Sequence, residues 1–394
     1  MPMSSDVDVE SQIQETAEDA VAKDGPFVPG VNCTNINDVS EFGDVEYYMW
    51  ERYYIQNKSR GTIIQLSNAV TNLEKFIKQS DRFDCSVEDV DNRVAKQFKM
   101  WLVDRVQPST AASYINELDS MAQFYLSDGY YPGNPFENLT DGINTSADDN
   151  SASYQTNERI TVDDTKLREA IRSTHGSMKI VLLAVLVKTG IRLSEACNLD
   201  WEDINIDHPL ADDLLPDSRF ELSDDPDTIY IDSDKTHTTT DVYTAGNKRK
   251  VDSWIPIDNE LKRLLLWHAL TRERRFDGEN PVLMVDDDPV DKPSNRLPTT
   301  TGWKRVKEFA EDYGWHGSEN EKENVTPHWF RAKASSYLSN QLEADDDIDV
   351  DAEAVVKGIR GDKGDDVIQL YRLRKESFKD LVRSKMFKIG LEGI

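Results

Sequence analysis

Residues 188–199 read KTGIRLSEACNL and follow the apolar run MKIVLLAVLV of 178–187. A glycine directly after such a run ends it in a turn. Arg192 then stands on that turn just ahead of Ser194, which has the chemistry of an N-cap for the next helix. A helix N-terminus carries partial positive charge and free N–H groups, so an arginine beside it makes a setting for an anion. A surface arginine after a glycine turn fits these residues too. The choice depends on what the rest of the chain brings to the same place.

Three other stretches carry polar residues of similar kind. PHWFRAKASSYL (327–338) opens a helix with His328 and Arg331 three apart on one face, a pairing that suits an anion between them. A capping histidine and an exposed arginine would look the same. DTIYIDSDKT (227–236) reads as a strand that ends near Lys235, and VDSWIPID (251–258) as its antiparallel partner. The insert between them, THTTTDVYTAGNKRK (236–250), holds a second lysine, Lys248. GDKGDDVIQLYRLRKES (361–377) places Tyr371 between an acidic turn and a basic run. Alone, Tyr371 reads as a core aromatic.

Around these stretches the pattern is helical. In GTIIQLSNAVTNLEKFIKQ (61–79), Ile63, Leu66, Val70, Leu73 and Ile77 recur at spacings of three and four, the stripe of an amphipathic helix. Val94, Phe98, Trp101 and Leu102 repeat it in 90–106, and a further helix begins near Ser109 as N-cap and stops by Gly129. In the second half, helices are expected at 161–174, SEACNLDWEDI, 259–275, 301–314, 327–342 and the C-terminus. The acidic run after Leu342 reads as a solvated loop. The fold class is therefore mainly α: an all-helical N-terminal domain plus a mixed α+β domain of mostly helices with a small antiparallel sheet. The expected organisation is an acidic tail at 1–36, a helical domain at 37–141, a linker at 142–157 and a second domain at 158–394.

Of the 394 residues, 74 are acidic and 46 basic, a formal charge of -28. A negative field repels phosphate, so any nucleic-acid contact must rely on local basic clusters: GNKRK, ERRF, and the run Arg372, Arg374, Lys375, Lys379, Arg383, Lys385 and Lys388. Acidity spread over the whole chain suits strong salt, where the Debye length shrinks to about 3 Å at 1 M. A salt-adapted archaeal source is expected. Cys33, Cys85 and Cys197 are too scattered for a disulfide framework or a zinc cluster, and no apolar run approaches a membrane span. With no signal-peptide pattern at the N-terminus, the expected setting is the cytoplasm.

Taken in order, Arg192, Lys235, His328-x-x-Arg331 and Tyr371 resemble the tyrosine recombinases, the phage-integrase and Xer-like site-specific enzymes. The motifs that carry the resemblance are TGIRLSEACNL, PHWFRAKASSYL and GDKGDDVIQLY, where Gly361-Asp362 is followed nine residues later by Tyr371. They span most of 158–390; the helical block before them is similar to the family's core-binding domain in size and pattern only. The resemblance implies that Tyr371 is the nucleophile, that Arg192 and Arg331 hold the scissile phosphate, and that His328 donates to it. It implies a general acid on the hairpin: Lys235 is preferred, being at the strand end, and Lys248 is its rival. Asp362 stands where the family has a second His or Trp, a carboxylate that would repel phosphate. The stretch from Arg331 to Tyr371 is also longer than usual in the family.

Implied partners are double-stranded DNA and the protein itself, as a tetramer on DNA through exchange of the C-terminal tail, with accessory DNA-bending proteins in some reactions; a last helix packed on its own chain is equally compatible with the residues. No cofactor, metal or membrane is implied. A silent DNA-binding relative and a type IB topoisomerase-like nicking and rejoining enzyme are the alternatives.

Overall fold

The computed structural model describes residues 43–143 and 160–391, apart from 57, 59, 81–82, 84, 128, 130–131, 234, 236, 239–242, 245, 248, 250, 273–279, 286–294, 319–323, 346–349 and 362–375. The expected tail, most of the expected linker, Lys248, Asp362 and Tyr371 lie outside the described residues. The chain clusters into two compact units, Met1–Ser153 and Tyr154–Ile394.

The first unit is helical: α1 (Asp44–Trp50), continued by a π-turn at Glu51–Ile55, α2 (Arg60–Gln79), α3 (Asn92–Val103) and α4 (Pro108–Ser127). The α2 stripe of Ile63, Leu66, Val70, Leu73 and Ile77 is buried. It packs with Val94, Phe98 and Leu102 of α3 and with Ile115, Leu118, Met121 and Tyr125 of α4 in one core. Phe76 and Phe98 lie with ring centroids 5.7 Å apart, within the range of aromatic pairs. Asp91 starts α3 by accepting the N–H groups of Arg93 and Val94, both at 2.8 Å. Ser109 is not the cap expected of it: α4 begins at Pro108, whose fixed φ suits the first helical position. The helix ends at Ser127, and Gly129 follows with φ +78°.

In the second unit α5 (Asp164–Arg172) precedes α6 (Ser177–Thr189), the axis of the domain. From Ile180 to Thr189 every residue of α6 is buried, as a helix apolar on all sides must be. Gly190 ends it in the left-handed region at φ +65°. The stretch SEACNLDWEDI, expected as one helix, divides. A short α7 (Leu193–Cys197) is followed by a 3₁₀ turn (Trp201–Asp203) and by β1 (Ile204–Asn205). Arg192 rather than Ser194 holds the N-cap position of α7.

After α8 (Pro209–Leu214) come β2 (Thr228–Ile231), the small ribbon β3 (His237–Thr238) and β4 (Tyr243–Thr244), and β5 (Ser253–Pro256). The expected antiparallel pair is β2 and β5, in register at Ile229 with Ile255 and Tyr230 with Trp254, and β1 adds a third antiparallel strand beside β2. The remaining elements are α9 (Asn259–Thr271), α10 (Thr299–Asp312), α11 (Pro327–Glu343), α12 (Ala352–Arg360) and α13 (Glu376–Lys385). The acidic run beyond Leu342 is thus not all loop: its last residues start α12, capped by Asp351. The chain is mostly helical with a small antiparallel sheet, the predicted class.

The end of the chain folds onto its own domain. Val382, Met386, Phe387 and Ile389 are buried in the core, and Phe387 packs edge-on to Tyr337 of α11 at 5.1 Å. Buried Lys188 of α6 donates to the Phe387 carbonyl at 2.7 Å and pairs with Asp258 at 2.9 Å and Glu260 at 2.6 Å. The Glu260 carboxylate also accepts three consecutive N–H groups, those of Ile389, Gly390 and Leu391. Of the two arrangements open to the tail, exchange with a neighbouring subunit or packing on its own chain, the structure has the second.

Candidate functional site

The site grows from the contact between the end of α6 and the start of α11. Thr326 accepts the N–H of Trp329 at 3.2 Å and Pro327 takes the first helical position, which fixes where α11 begins. Trp329 and Phe330 enter the core, and Trp329 Nε1 donates to the Ile160 carbonyl at 2.8 Å. With that side buried, His328 is left exposed at the helix start and Arg331, one turn on, points inward at 2% exposure. Arg331 Nη1 donates to the Gly190 carbonyl at 2.7 Å and Nη2 to the Arg360 carbonyl at 3.0 Å. A Cβ on Gly190 would stand 3.1 Å from Cβ of Ala334, so a glycine there answers both the left-handed backbone and the close approach of α11.

Arg192 is two residues beyond Gly190. Its backbone N–H donates to Glu195 Oε2 at 2.8 Å and its Nη1 to Glu195 Oε1 at 2.9 Å. The Glu195 side chain is fully buried while that of Arg192 is a quarter exposed, so the arginine spans from the interior to the surface. Arg249 reaches the same carboxylate from the far end of the β-hairpin insert, with Nε at 3.3 Å and Nη2 at 3.2 Å. Burial would raise the Glu195 carboxyl. The Arg249 guanidinium, the Arg192 N–H, and the charges of Arg331 and Arg192 outweigh it and hold the group below the usual carboxylate range. Taken by themselves these four side chains carry more positive than negative charge, on a chain of net -28. An anion is the ligand such a cluster suits.

Lys235 is engaged differently. Its ammonium lies 2.6 Å from Asp200 Oδ2 and also bonds Asp203. Burial lifts the Asp203 carboxyl despite Lys235. At Asp200 burial acts in the same sense, but Arg296 and Lys235 together overcome it and lower the group. The hairpin arms are stitched to α7 close by: the Asn247 N–H donates to the Lys235 carbonyl at 3.0 Å, and Asn198 Nδ2 donates to Asn247 Oδ1 at 2.9 Å. Among the described residues no group of three or more His, Cys, Asp or Glu could hold a metal ion, and no helix is long and apolar enough to cross a membrane.

Comparison with known proteins agrees with this architecture. Residues 45–143 match the phage integrase SAM-like domain. The Tn1549 transposon integrase in complex with transposon right end DNA is similar over 87% of this chain and 98% of its own, at 14% identity and a TM-score of 0.55. The lambda integrase dimer bound to a COC′ core site is similar over 82% and 95%, at 14% identity and a TM-score of 0.51. The chain has the phage-integrase fold. No curated protein sequence matches it.

Within the integrase fold, Arg192 pairs with Glu195, Arg331 holds the Gly190 carbonyl two residues before Arg192, and His328 stands at the head of the same helix as Arg331. Lys235 is held by two aspartates, and Tyr371, Asp362 and Lys248 lie outside the described residues. Sequence reasoning missed Glu195 and Arg249. Glu195 had a signal, since an acid three residues after Arg192 at a helix start can accept its N–H. Arg249 had none that set it apart from the lysines beside it.

The expected basic DNA-facing run also needs correction where it is described. Lys379 is buried against Asp225. Arg383 donates to the Pro226 carbonyl at 2.8 Å, Lys385 pairs with Asp345 at 2.5 Å and Lys388 with Asp258 at 2.8 Å. These cations fasten the tail to its own domain.

Proposed function

We propose that the protein is a site-specific DNA recombinase that cleaves and rejoins DNA through a 3′-phosphotyrosyl link. The observation that carries this reading is the tie from Arg331 to the Gly190 carbonyl, two residues before Arg192, which is itself paired with the buried Glu195 carboxylate. Breaking a phosphodiester needs a nucleophile, positive charge at the non-bridging oxygens and a proton for the leaving 5′-oxygen. Arg192 and Arg331 supply the charge, and His328, exposed at the start of α11, donates a hydrogen bond to the phosphate. Tyr371, with a reference pKa near 10, attacks phosphorus as His328 assists the transfer of its proton, and the bond to the 5′-oxygen breaks. Lys235 protonates that oxygen, with Lys248 as its rival, and Asp362 occupies a supporting position. The resulting ester preserves the bond energy for rejoining.

DNA would be contacted by the helical core-binding domain, 37–141, and by the catalytic domain, 158–394, with the chain acting as an integrase of a mobile element in the cytoplasm of a salt-adapted archaeon. The match of residues 45–143 supports the first assignment and the acidic composition the last. Assembly is tetrameric on DNA.

The hold of Asp200 and Asp203 on Lys235 favours one competing reading, a DNA-binding relative without turnover. A pool of nicked duplexes of randomised sequence, incubated with the protein in strong salt, separates the two. Covalent protein–DNA adducts that disappear in Tyr371→Phe support the recombinase; retained DNA with no adduct in either protein supports the silent relative. Exchange between two copies of a selected duplex then distinguishes recombination from topoisomerase-like nicking and rejoining.

A further inference from the structure

Arg249 joins three stretches that are far apart in sequence. It ends the hairpin insert, two residues after Asn247, whose N–H closes onto the Lys235 carbonyl. Its Nε and Nη2 reach Glu195 on α7, and its Nη1 donates to the Ile359 carbonyl of α12 at 2.9 Å. Its side chain lies flat on Gly361, the last described residue before Asp362. A Cβ added to Gly361 would stand 2.4 Å from Arg249 Cγ, 2.7 Å from Nη1 and 2.8 Å from Cδ. A fully buried guanidinium is costly unless each contact is made with good geometry. A single ion pair would need only the carboxylate; here the same side chain also fixes a main-chain carbonyl and covers a glycine at φ +63°.

We infer that Arg249 is a positioning residue for strand cleavage: it couples the hairpin carrying Lys235 to the Glu195 carboxylate that orients Arg192, and to Gly361, from which the Asp362–Tyr371 stretch continues. The inference rests on the function proposed above. In that role Arg249 touches no phosphate. It holds the hairpin that carries Lys235, the Glu195 carboxylate and Gly361 in one arrangement.

Adduct formation by the full chain on a selected nicked duplex tests it, with DNA affinity measured separately. Arg249→Ala lowers the rate at saturating DNA by about tenfold or more, the scale of a small misplacement, while affinity moves by less than about threefold. Removing Arg249 leaves Glu195 facing Arg192 and Arg331 alone, so burial shifts its protonation upward and the acid limb of the pH–rate profile moves to higher pH. Arg249→Lys restores that limb, because the charge returns, but not the full rate, because one ammonium cannot bridge Glu195 and Ile359. Gly361→Ala slows adduct formation strongly beside Arg249 and less in the Arg249→Ala background, where its Cβ has room and only the strain of the left-handed backbone remains.

Strict additivity of the two substitutions, or an unchanged acid limb, overturns the inference. If the unsubstituted protein forms no adduct, the proposed function falls, and hydrogen exchange decides the positioning claim by itself. Arg249→Ala should speed exchange of the Gly361 amide, bonded to the Gly358 carbonyl at 3.1 Å, and leave the α9 amides unchanged. Equal exchange in both proteins refutes it.

Discussion

Replacing Glu195 by glutamine removes one charge and changes almost no volume, so what it costs reports on the arginines around it. The carboxylate accepts from the Arg192 N–H, from Arg192 Nη1, and from Arg249 Nε and Nη2. Glutamine keeps one acceptor oxygen and turns an NH₂ group towards donors. Hydrogen bonds to charged groups contribute about 1.5–3 kcal/mol each. Removing one partner of a buried pair costs about 3–5 kcal/mol, since the remaining charge stays in the interior. The expected loss in a urea titration of the second unit is therefore about 3–5 kcal/mol, a fall in Tm of roughly 6–20 °C for a domain of this size. Salt shields a fully buried pair only weakly, so the difference between the two proteins should persist from moderate to strong salt. A loss under about 1 kcal/mol, or one that vanishes at high salt, would show that Glu195 is not the point on which these arginines converge.

Gly190→Ala should cost about 1–2 kcal/mol in the same titration from the left-handed backbone alone, with further loss from crowding of Ala334; an unchanged midpoint would contradict the close approach of α6 and α11. Lys188→Met deletes an ammonium placed between Asp258, Glu260 and the Phe387 carbonyl, so about 3–5 kcal/mol should be lost and the bonds to residues 386–391 should become sensitive to limited proteolysis. Acid unfolding follows from the depressed carboxyls, four of which lie against buried cations. At Glu195, Asp200, Asp258 and Glu260 burial is outweighed, chiefly by Arg249, by Arg296, and at the last two by Lys188. Their stabilisation is fully present above the unfolded carboxylate range near about 4 and is lost as pH falls through the folded values. Asp203, raised by burial, acts in the opposite sense and relieves the folded state as it protonates. Stability that stays flat down to pH of about 3 in a calorimetric series would refute this account.

What was legible in the sequence had a local cause. The α2 stripe repeats with the helical period, and β2 and β5 carry β-branched residues between turn signals. Arg192 and Arg331 stood out because a glycine turn and a helix start confine them. The misread features depend on distant partners. Arg249 belongs to a basic run, and only its burial against Glu195 and Gly361 separates it from a solvated face. Lys379, Lys385 and Lys388 looked available for DNA because Asp225, Asp345 and Asp258, which engage them, lie 40 to 154 residues away in the chain. The helix starts at 108 and 193 lie two residues before those expected, since proline or an acid at the third position can do the work expected of serine. SEACNLDWEDI looked helical throughout because its break depends on Asp203 accepting the Asp200 N–H at 2.8 Å.

The partners of Arg331 are main-chain oxygens, at Gly190 and Arg360. Every amino acid carries that atom, so no side-chain replacement at position 360 can delete the acceptor there. Replacement of the side chains around it can therefore change the surroundings of Arg331 without removing these two acceptors. Only a displacement of the polypeptide backbone itself would set it adrift.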